Sequence, residues 1–68
     1  MKEYEGFVKM TTKEFKAKET QAMFYGKDKK FYAKGDLTHY NGNIYISIVD
    51  GNGNSPADSS WKRVFIED

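Results

Sequence analysis

The sequence lacks cysteine altogether and contains a single proline and a single histidine. Without cysteine, no disulfide can stabilise the fold and no thiolate can bind a metal. The lone His39 cannot supply a multi-imidazole site, so no metal and no other cofactor is expected. A chain of 68 residues can bury only about 60% of its unfolded surface. Its stability must therefore come from packing or from a partner subunit.

Long apolar runs are also missing. No stretch of about 18 apolar residues is present, so neither a transmembrane helix nor a membrane partner is expected. The first residues, MKEYEGFVKM, lack the apolar stretch of a secretory signal peptide. We therefore expect synthesis in a cytoplasm, with later assembly into a particle left open.

Charges of the two signs nearly cancel overall, at +1, but they are unevenly distributed. Residues 1–34 contain nine lysines and five acids, whereas residues 35–68 contain two basic and five acidic residues. Such halves attract each other, which favours their packing together. A basic surface that binds a partner is the alternative.

The N-terminal half predicts a short strand and then a helix. Residues 4–10 are rich in Tyr, Phe and Val, which favour strands. Thr11 and Glu14 have the spacing of a capping box, in which each side chain accepts a hydrogen bond from the other residue's backbone amide. This pattern predicts a helix over residues 12–25, ending before Gly26. The apolar side of that helix comprises Phe15, Ala22 and Met23.

The C-terminal half predicts a β-hairpin followed by a third strand. Asn41-Gly42 is typical of a type I′ turn, which requires positive φ at both central residues. The hairpin arms are predicted over residues 37–40 and 43–49, and WKRVFI, residues 61–66, forms the third strand. Residues 50–60 are rich in Gly, Asn and Ser and form a loop.

Alternation along the hairpin assigns its side chains to two faces. The first face carries Thr38, Tyr40, Tyr45, Ser47 and Val49. The second carries Leu37, His39, Ile44, Ile46 and Ile48. Each large aliphatic side chain gains roughly 1.5–3 kcal/mol on burial, so the second face must be covered. We expect the Phe15 side of the N-terminal thirty residues to cover it, or else a second copy of the chain in a homo-oligomer.

An ordered series of aromatic, glycine and turn residues spans residues 32–64: Tyr32, Gly35, Asp36, Thr38, Tyr40, Asn41, Gly42, Tyr45, Gly53, Pro56 and Trp61. This pattern resembles the chitin-binding-type carbohydrate-binding modules of bacterial chitinases, which also occur in phage tail and fibre proteins. The resemblance implies a three-stranded antiparallel sheet in which Tyr32, Tyr40, Tyr45 and Trp61 are mostly buried. The family's exposed aromatic before the proline, which stacks on sugar, is replaced here by Asn54-Ser55.

These observations predict one α+β domain over residues 1–68. A strand and a short helix in residues 1–30 would pack on a three-stranded antiparallel β-meander in residues 31–68. Sugar binding could then use other exposed rings and nearby amides, the candidates being Tyr25, Phe65, Asn52 and Asn54.

Catalytic and metal chemistry are not expected. The spacing Asp50-x-Asn52-x-Asn54 imitates the start of a calcium-binding EF-hand loop, but Ser55 and Trp61 stand where that loop needs glycine and glutamate. A catalytic triad would need His39 with a serine and an acid. Ser55, Ser59 and Ser60 are available, but none of them lies in a nucleophile-elbow motif. We therefore predict a non-enzymatic protein with no metal site.

The leading functional hypothesis is a non-catalytic phage or prophage accessory protein, of virion or fibre type, that recognises a surface glycan or another virion protein. The alternative is an intracellular phage-encoded protein that binds or inhibits a host protein. The least favoured hypothesis is single-stranded nucleic-acid binding by a segment in which lysines alternate with Phe24, Tyr25, Phe31 and Tyr32. Nucleic acid is not favoured as a partner, because the core needs Tyr32 and the isoelectric point is only 7.9.

Overall fold

A computed structural model describes residues 1–19, 23–24 and 31–67. In these ranges the chain forms one six-stranded sheet and one helix. The strands are β1 (Lys2–Tyr4), β2 (Phe7–Met10), β3 (Met23–Phe24), β4 (Leu37–Tyr40), β5 (Asn43–Ser47) and β6 (Trp61–Ile66). The helix α1 (Thr12–Glu19) follows β2.

The sheet has the strand order β1-β2-β6-β5-β4-β3. Strands β2 and β6 pair in parallel, as do β3 and β4. The other three neighbouring pairs are antiparallel. The N-terminal half therefore joins the C-terminal half by direct strand pairing at β6.

The predicted fold class is wrong in this respect. We expected a three-stranded antiparallel meander with the N-terminal strand and helix packed on it, but the N-terminal half contributes strands to the same mixed sheet. Two signals were missed. Gly6, with φ +85°, completes the tight turn that joins β1 to β2. The backbone of β6 also needed a second partner, because an unpaired strand edge leaves amides and carbonyls without hydrogen bonds.

The capping box at the start of α1 is confirmed. The Thr11 amide donates to Glu14 Oε1 at 3.0 Å, and the Glu14 amide donates to Thr11 Oγ1 at 3.1 Å. The N-terminal ammonium of Met1 also donates to Glu14 Oε2. That ammonium and the Thr11 amide stabilise the carboxylate and lower the pKa of Glu14 to about 2.

The helix is shorter than predicted. It ends at Glu19, and Met23–Phe24 is a strand, so the prediction of helix through residue 25 is wrong at residues 23 and 24. Ala22 and Gly26 lie outside the described residues. Phe15 is the one large apolar side chain in α1, and so narrow an apolar stripe gives little packing energy to extend a helix.

Both hairpin arms begin where the sequence predicts. Strands β4 and β6 match residues 37–40 and 61–66, whereas β5 ends at Ser47, two residues before the predicted end. Asn41 and Gly42 have φ values of +51° and +79°, which confirms the positive-φ turn predicted from Asn-Gly.

One side of the sheet forms the hydrophobic core, and we call it the aliphatic face. The register places Val8 beside Val64, Val64 beside Ile44, and Leu37 beside Ile46. Phe15 and Ile44 are partly buried against the core residues, which are Val8, Met10, Leu37, Ile46 and Val64. His39 and Ile48 are half-buried. The N-terminal half thus covers the isoleucine side with Phe15 and extends it with β2.

Replacing Ile46 with Asp should unfold the protein, because the charge would enter the buried aliphatic face. An unpaired buried carboxylate costs several kcal/mol, which is comparable with a total stability of about 5 kcal/mol. Val49 is 42% exposed, and Val49→Asp is the matched control that should stay folded. Circular dichroism measures folding and light scattering measures molar mass. A folded Ile46→Asp monomer would contradict burial of this side chain within one chain.

Candidate ligand-binding face

The other side of the sheet has two parts, of which one is covered and one is open. Residues that pair directly across strands share a face. The register places Tyr4 beside Phe7, Phe7 beside Arg63, and Arg63 beside Tyr45. We call the open part the aromatic face; it comprises the rings of Tyr4, Phe7, Tyr40, Tyr45 and Phe65 and the cations Lys2, Lys9 and Arg63.

Three rings of the aromatic face form a continuous contact across three strands. Tyr4 and Phe7 stack with their centroids 4.8 Å apart and their planes at 8°. Phe7 meets Phe65 edge to face at 5.7 Å and 86°. Tyr4 and Phe65 nevertheless remain 41% and 40% exposed. These rings therefore stabilise one another while leaving area available for contact.

Two more rings extend the face beyond Arg63. Tyr40 and Tyr45 lie edge to face, with centroids 6.2 Å apart and planes at 71°. Both are half-buried, although the family resemblance implied that they are mostly buried. Their phenol groups add hydrogen-bonding capacity to a largely apolar surface.

Cationic side chains lie directly against the rings. The guanidinium carbon of Arg63 is 4.6 Å from the centroid of Phe65, and Lys9 Nζ is 5.9 Å from that of Tyr4. Lys9 Nζ also forms an ion pair with Glu67 Oε2 at 2.7 Å. This hydrogen-bonded pair raises the pKa of Lys9 and lowers the pKa of Glu67. Arg63 is exposed, so its charge remains accessible.

A cavity of about 310 Å³ adjoins the outer end of the aromatic face. Lys2, Tyr4 and Lys9 line it together with Glu14 and Glu67. Its wall is of mixed charge, so it extends the aromatic face as a polar recess at the edge of the sheet.

The covered part of this side is a second, polar core. Tyr32 and Trp61 are buried and meet edge to face, with centroids 5.0 Å apart. Trp61 Nε1 donates to the carbonyl of Asn54 at 2.9 Å. The backbone amides of Tyr32 and Asn52 each donate to the other residue's carbonyl, at 2.9 and 2.8 Å. The loop over residues 48–60 is thereby attached to the sheet.

Asn52 organises that loop from the inside. Its side-chain amide donates to Ser47 Oγ at 2.9 Å and to the Ser60 carbonyl at 3.1 Å. Its Oδ1 accepts hydrogen bonds from the Asn54 amide and from Ser60 Oγ, both at 3.1 Å. Because Asn52 is only 2% exposed, its side chain is occupied within the protein and is not presented to a ligand.

The structure places the three described residues among the four predicted sugar-binding residues in different surroundings. Phe65 lies on the aromatic face, whereas Asn52 lies under the loop. Asn54 lies in the loop, where its Nδ2 donates to Ser60 Oγ at 3.3 Å. Tyr25 lies outside the described residues. The partners that the structure gives to Phe65 are Phe7 and Arg63. Sequence reasoning missed Phe7 because it did not pair β2 with β6. It also missed Arg63, although alternation along the predicted strand over residues 61–66 places Arg63 and Phe65 on one face.

The calcium-loop spacing does not produce a cluster of ligands. Asp50 Oδ1 accepts a hydrogen bond from the Lys34 amide at 3.0 Å, and Asn52 is engaged as described above. Within the described ranges, no group of three or more His, Asp or Glu side chains could hold a metal ion. The same part of the chain contains no helix long and apolar enough to cross a bilayer.

Comparison of the chain with protein-family models, curated proteins and solved structures gives no match. The resemblance to chitin-binding-type modules therefore stays a prediction, carried by the residues given above.

Replacing Asn52 with Ala should lower the free energy of unfolding by about 2 kcal/mol, because several buried or half-buried groups would lose a partner at once. The comparison variant is Asn54→Ala, which removes one exposed side-chain bond and should cost less than about 0.5 kcal/mol. Urea denaturation monitored by tryptophan fluorescence measures the free energy of unfolding of both variants. Equal effects of the two substitutions would show that Asn52 does not organise the loop.

Proposed function

We propose that the protein is a non-catalytic binding protein and that its ligand lies on the aromatic face. The observation that carries the proposal is the partly exposed array of rings and cations on one side of the sheet, in which Tyr4 and Phe65 are the most exposed rings. Folding normally buries large rings, and a contiguous exposed patch of them marks an interaction site. The rings also hold one another in place, so a ligand meets a preorganised surface and little side-chain entropy is lost on binding.

A polymer of nucleobases or of sugar rings with an apolar face suits this surface best. Exposed aromatic side chains can stack against nucleobases and against sugar rings, and the five rings here extend over five neighbouring strands. Glycan recognition is a candidate because Phe65, proposed from the sequence as a sugar-stacking ring, is part of this array. Asn52 is buried, so other groups would have to form the hydrogen bonds to the sugar.

The proposal predicts which part of the protein responds to ligand. The protein is titrated with a chitin oligosaccharide and, separately, with an oligothymidylate. Whichever of the two binds should shift the NMR amide signals of β1, β2 and β6. The double substitution Tyr4→Ser and Phe65→Ser should weaken that binding at least tenfold, because it removes the two most exposed rings of the face.

The matched control is Phe31→Ser. Phe31 is 64% exposed but belongs to no strand, so its removal should leave binding unchanged. Signal shifts confined to the loop over residues 48–60, or equal losses from both variants, would contradict a site on the aromatic face.

The phage or virion role is a separate proposal that depends on the resemblance of residues 32–64 to modules of tail and fibre proteins. It predicts that the protein co-purifies with intact particles through a density gradient and is released on their disassembly. Recovery only in the soluble fraction of infected cells would instead support the alternative of an intracellular protein that binds a host protein.

A further inference from the structure

We infer that the ligand of the aromatic face is single-stranded nucleic acid. This inference depends on the proposed function, since it names the chemistry of the polymer that the same surface binds. It differs from the sequence-based hypothesis, which assigned nucleic-acid binding to the lysine-rich segment around Phe31. Here the binding surface is the sheet itself.

The first argument is the arrangement of the rings. Neighbouring strands lie about 4.8 Å apart, so the row from Tyr4 on β1 to Tyr45 on β5 extends over about 14 Å. Sheets that bind single strands stack two or three bases on rings of this kind. The row contains Tyr4, Phe7 and Tyr45, and Phe65 lies in contact with Phe7.

The second argument is charge complementarity. The described strand residues on this side of the sheet include Lys2, Lys9 and Arg63 and no acidic residue. Glu67, just beyond β6, neutralises Lys9, which leaves Lys2 and Arg63 to meet phosphates. A neutral glycan could accept hydrogen bonds from these cations but would release no counterions, whereas a phosphate backbone releases counterions when it meets them.

The position of Arg63 supports the same ligand. The register places it between Phe7 and Tyr45, and its guanidinium lies over Phe65. A planar guanidinium held against a ring can both stack and donate hydrogen bonds to phosphate oxygens. Arg63 thus places a cation at the centre of the stacking surface. A nucleic-acid strand whose bases stack on these rings needs a phosphate contact at that position.

The open geometry favours single strands over duplexes. Stacking on protein rings requires bases whose faces are free, and in a duplex those faces are covered by neighbouring base pairs. The aromatic face is part of a sheet and presents no helix for a major groove. RNA and DNA offer the same stacking and phosphate chemistry here, so the test must include both.

Fluorescence anisotropy with labelled oligothymidylate and oligouridylate of about 15 nucleotides, which is within the usual site size, tests the inference. Both single strands should bind, and a hairpin duplex of the same length should bind at least tenfold more weakly. A plot of the logarithm of the affinity against the logarithm of the salt concentration should have a slope of about −1.4, as expected for two phosphate contacts.

Matched variants separate stacking from charge. Phe65→Ala should weaken binding about 5-fold to 150-fold, the range measured for loss of one base-stacking ring. Arg63→Gln should weaken binding and reduce the magnitude of the salt slope by about 0.7. Lys62 is the next residue on β6 and pairs beside Ile46 on the opposite face, so Lys62→Gln should leave the affinity within about twofold. Unchanged thermal unfolding of each variant shows that it is folded.

Four outcomes would overturn the inference. Equal affinity for a heparin fragment, with no effect of Phe65→Ala, would mean simple polyanion binding. Loss of binding in Phe31→Ala but not in Phe65→Ala would transfer the site to the lysine-rich segment. A chitin oligosaccharide that shifts the signals of β1, β2 and β6 while the oligonucleotides do not would refute nucleic acid and leave the proposed function intact. If no probe shifts these signals, the proposed function fails as well.

Discussion

The parallel pairing of β2 with β6 is the interaction on which the rest of the structure depends. It aligns Val8 with Val64 on one face and Phe7 with Arg63 on the other. The ion pair of Lys9 with Glu67 and the hydrogen bond from the Glu67 amide to the Met10 carbonyl continue the contact past the end of the strands. One register therefore builds the hydrophobic core and the aromatic face at the same time.

The two sides of the sheet show how a small chain divides its apolar residues. Aliphatic side chains lie on the side that Phe15 of α1 covers. Aromatic side chains lie on the other side, where the loop over residues 48–60 covers only the end near Trp61. Rings tolerate partial exposure better than aliphatics because Tyr presents a polar atom and every ring can stack on a cation. The open end is thus stable without ligand and still offers contact area.

The sequence predicted the local features well and the long-range pairing badly. The Asn41-Gly42 turn and the Thr11 capping box depend on residues close in the chain, and the chemistry of those residues specifies them. The pairing of β2 with β6 connects residues 7 and 63, and no local pattern encodes it. The alternation of Phe7 and Lys9 with Val8 and Met10 indicates a strand with two different faces, but it does not specify which strand pairs beside it. Phe65 was accordingly proposed as a binding ring while its neighbours Phe7 and Arg63 were missed.

The place of β6 in the sheet has a consequence for how the protein folds. This strand lies between β2 and β5, yet it follows every other strand in the chain. The β1-β2 hairpin and the β4-β5 hairpin can each form early, but neither can join the other until β6 has been synthesised. Closing so long a loop is entropically costly, and contacts between distant residues slow folding. Until β6 pairs, Val8 and Ile46 lack Val64, with which they form one core cluster, and apolar side chains exposed in this way favour aggregation.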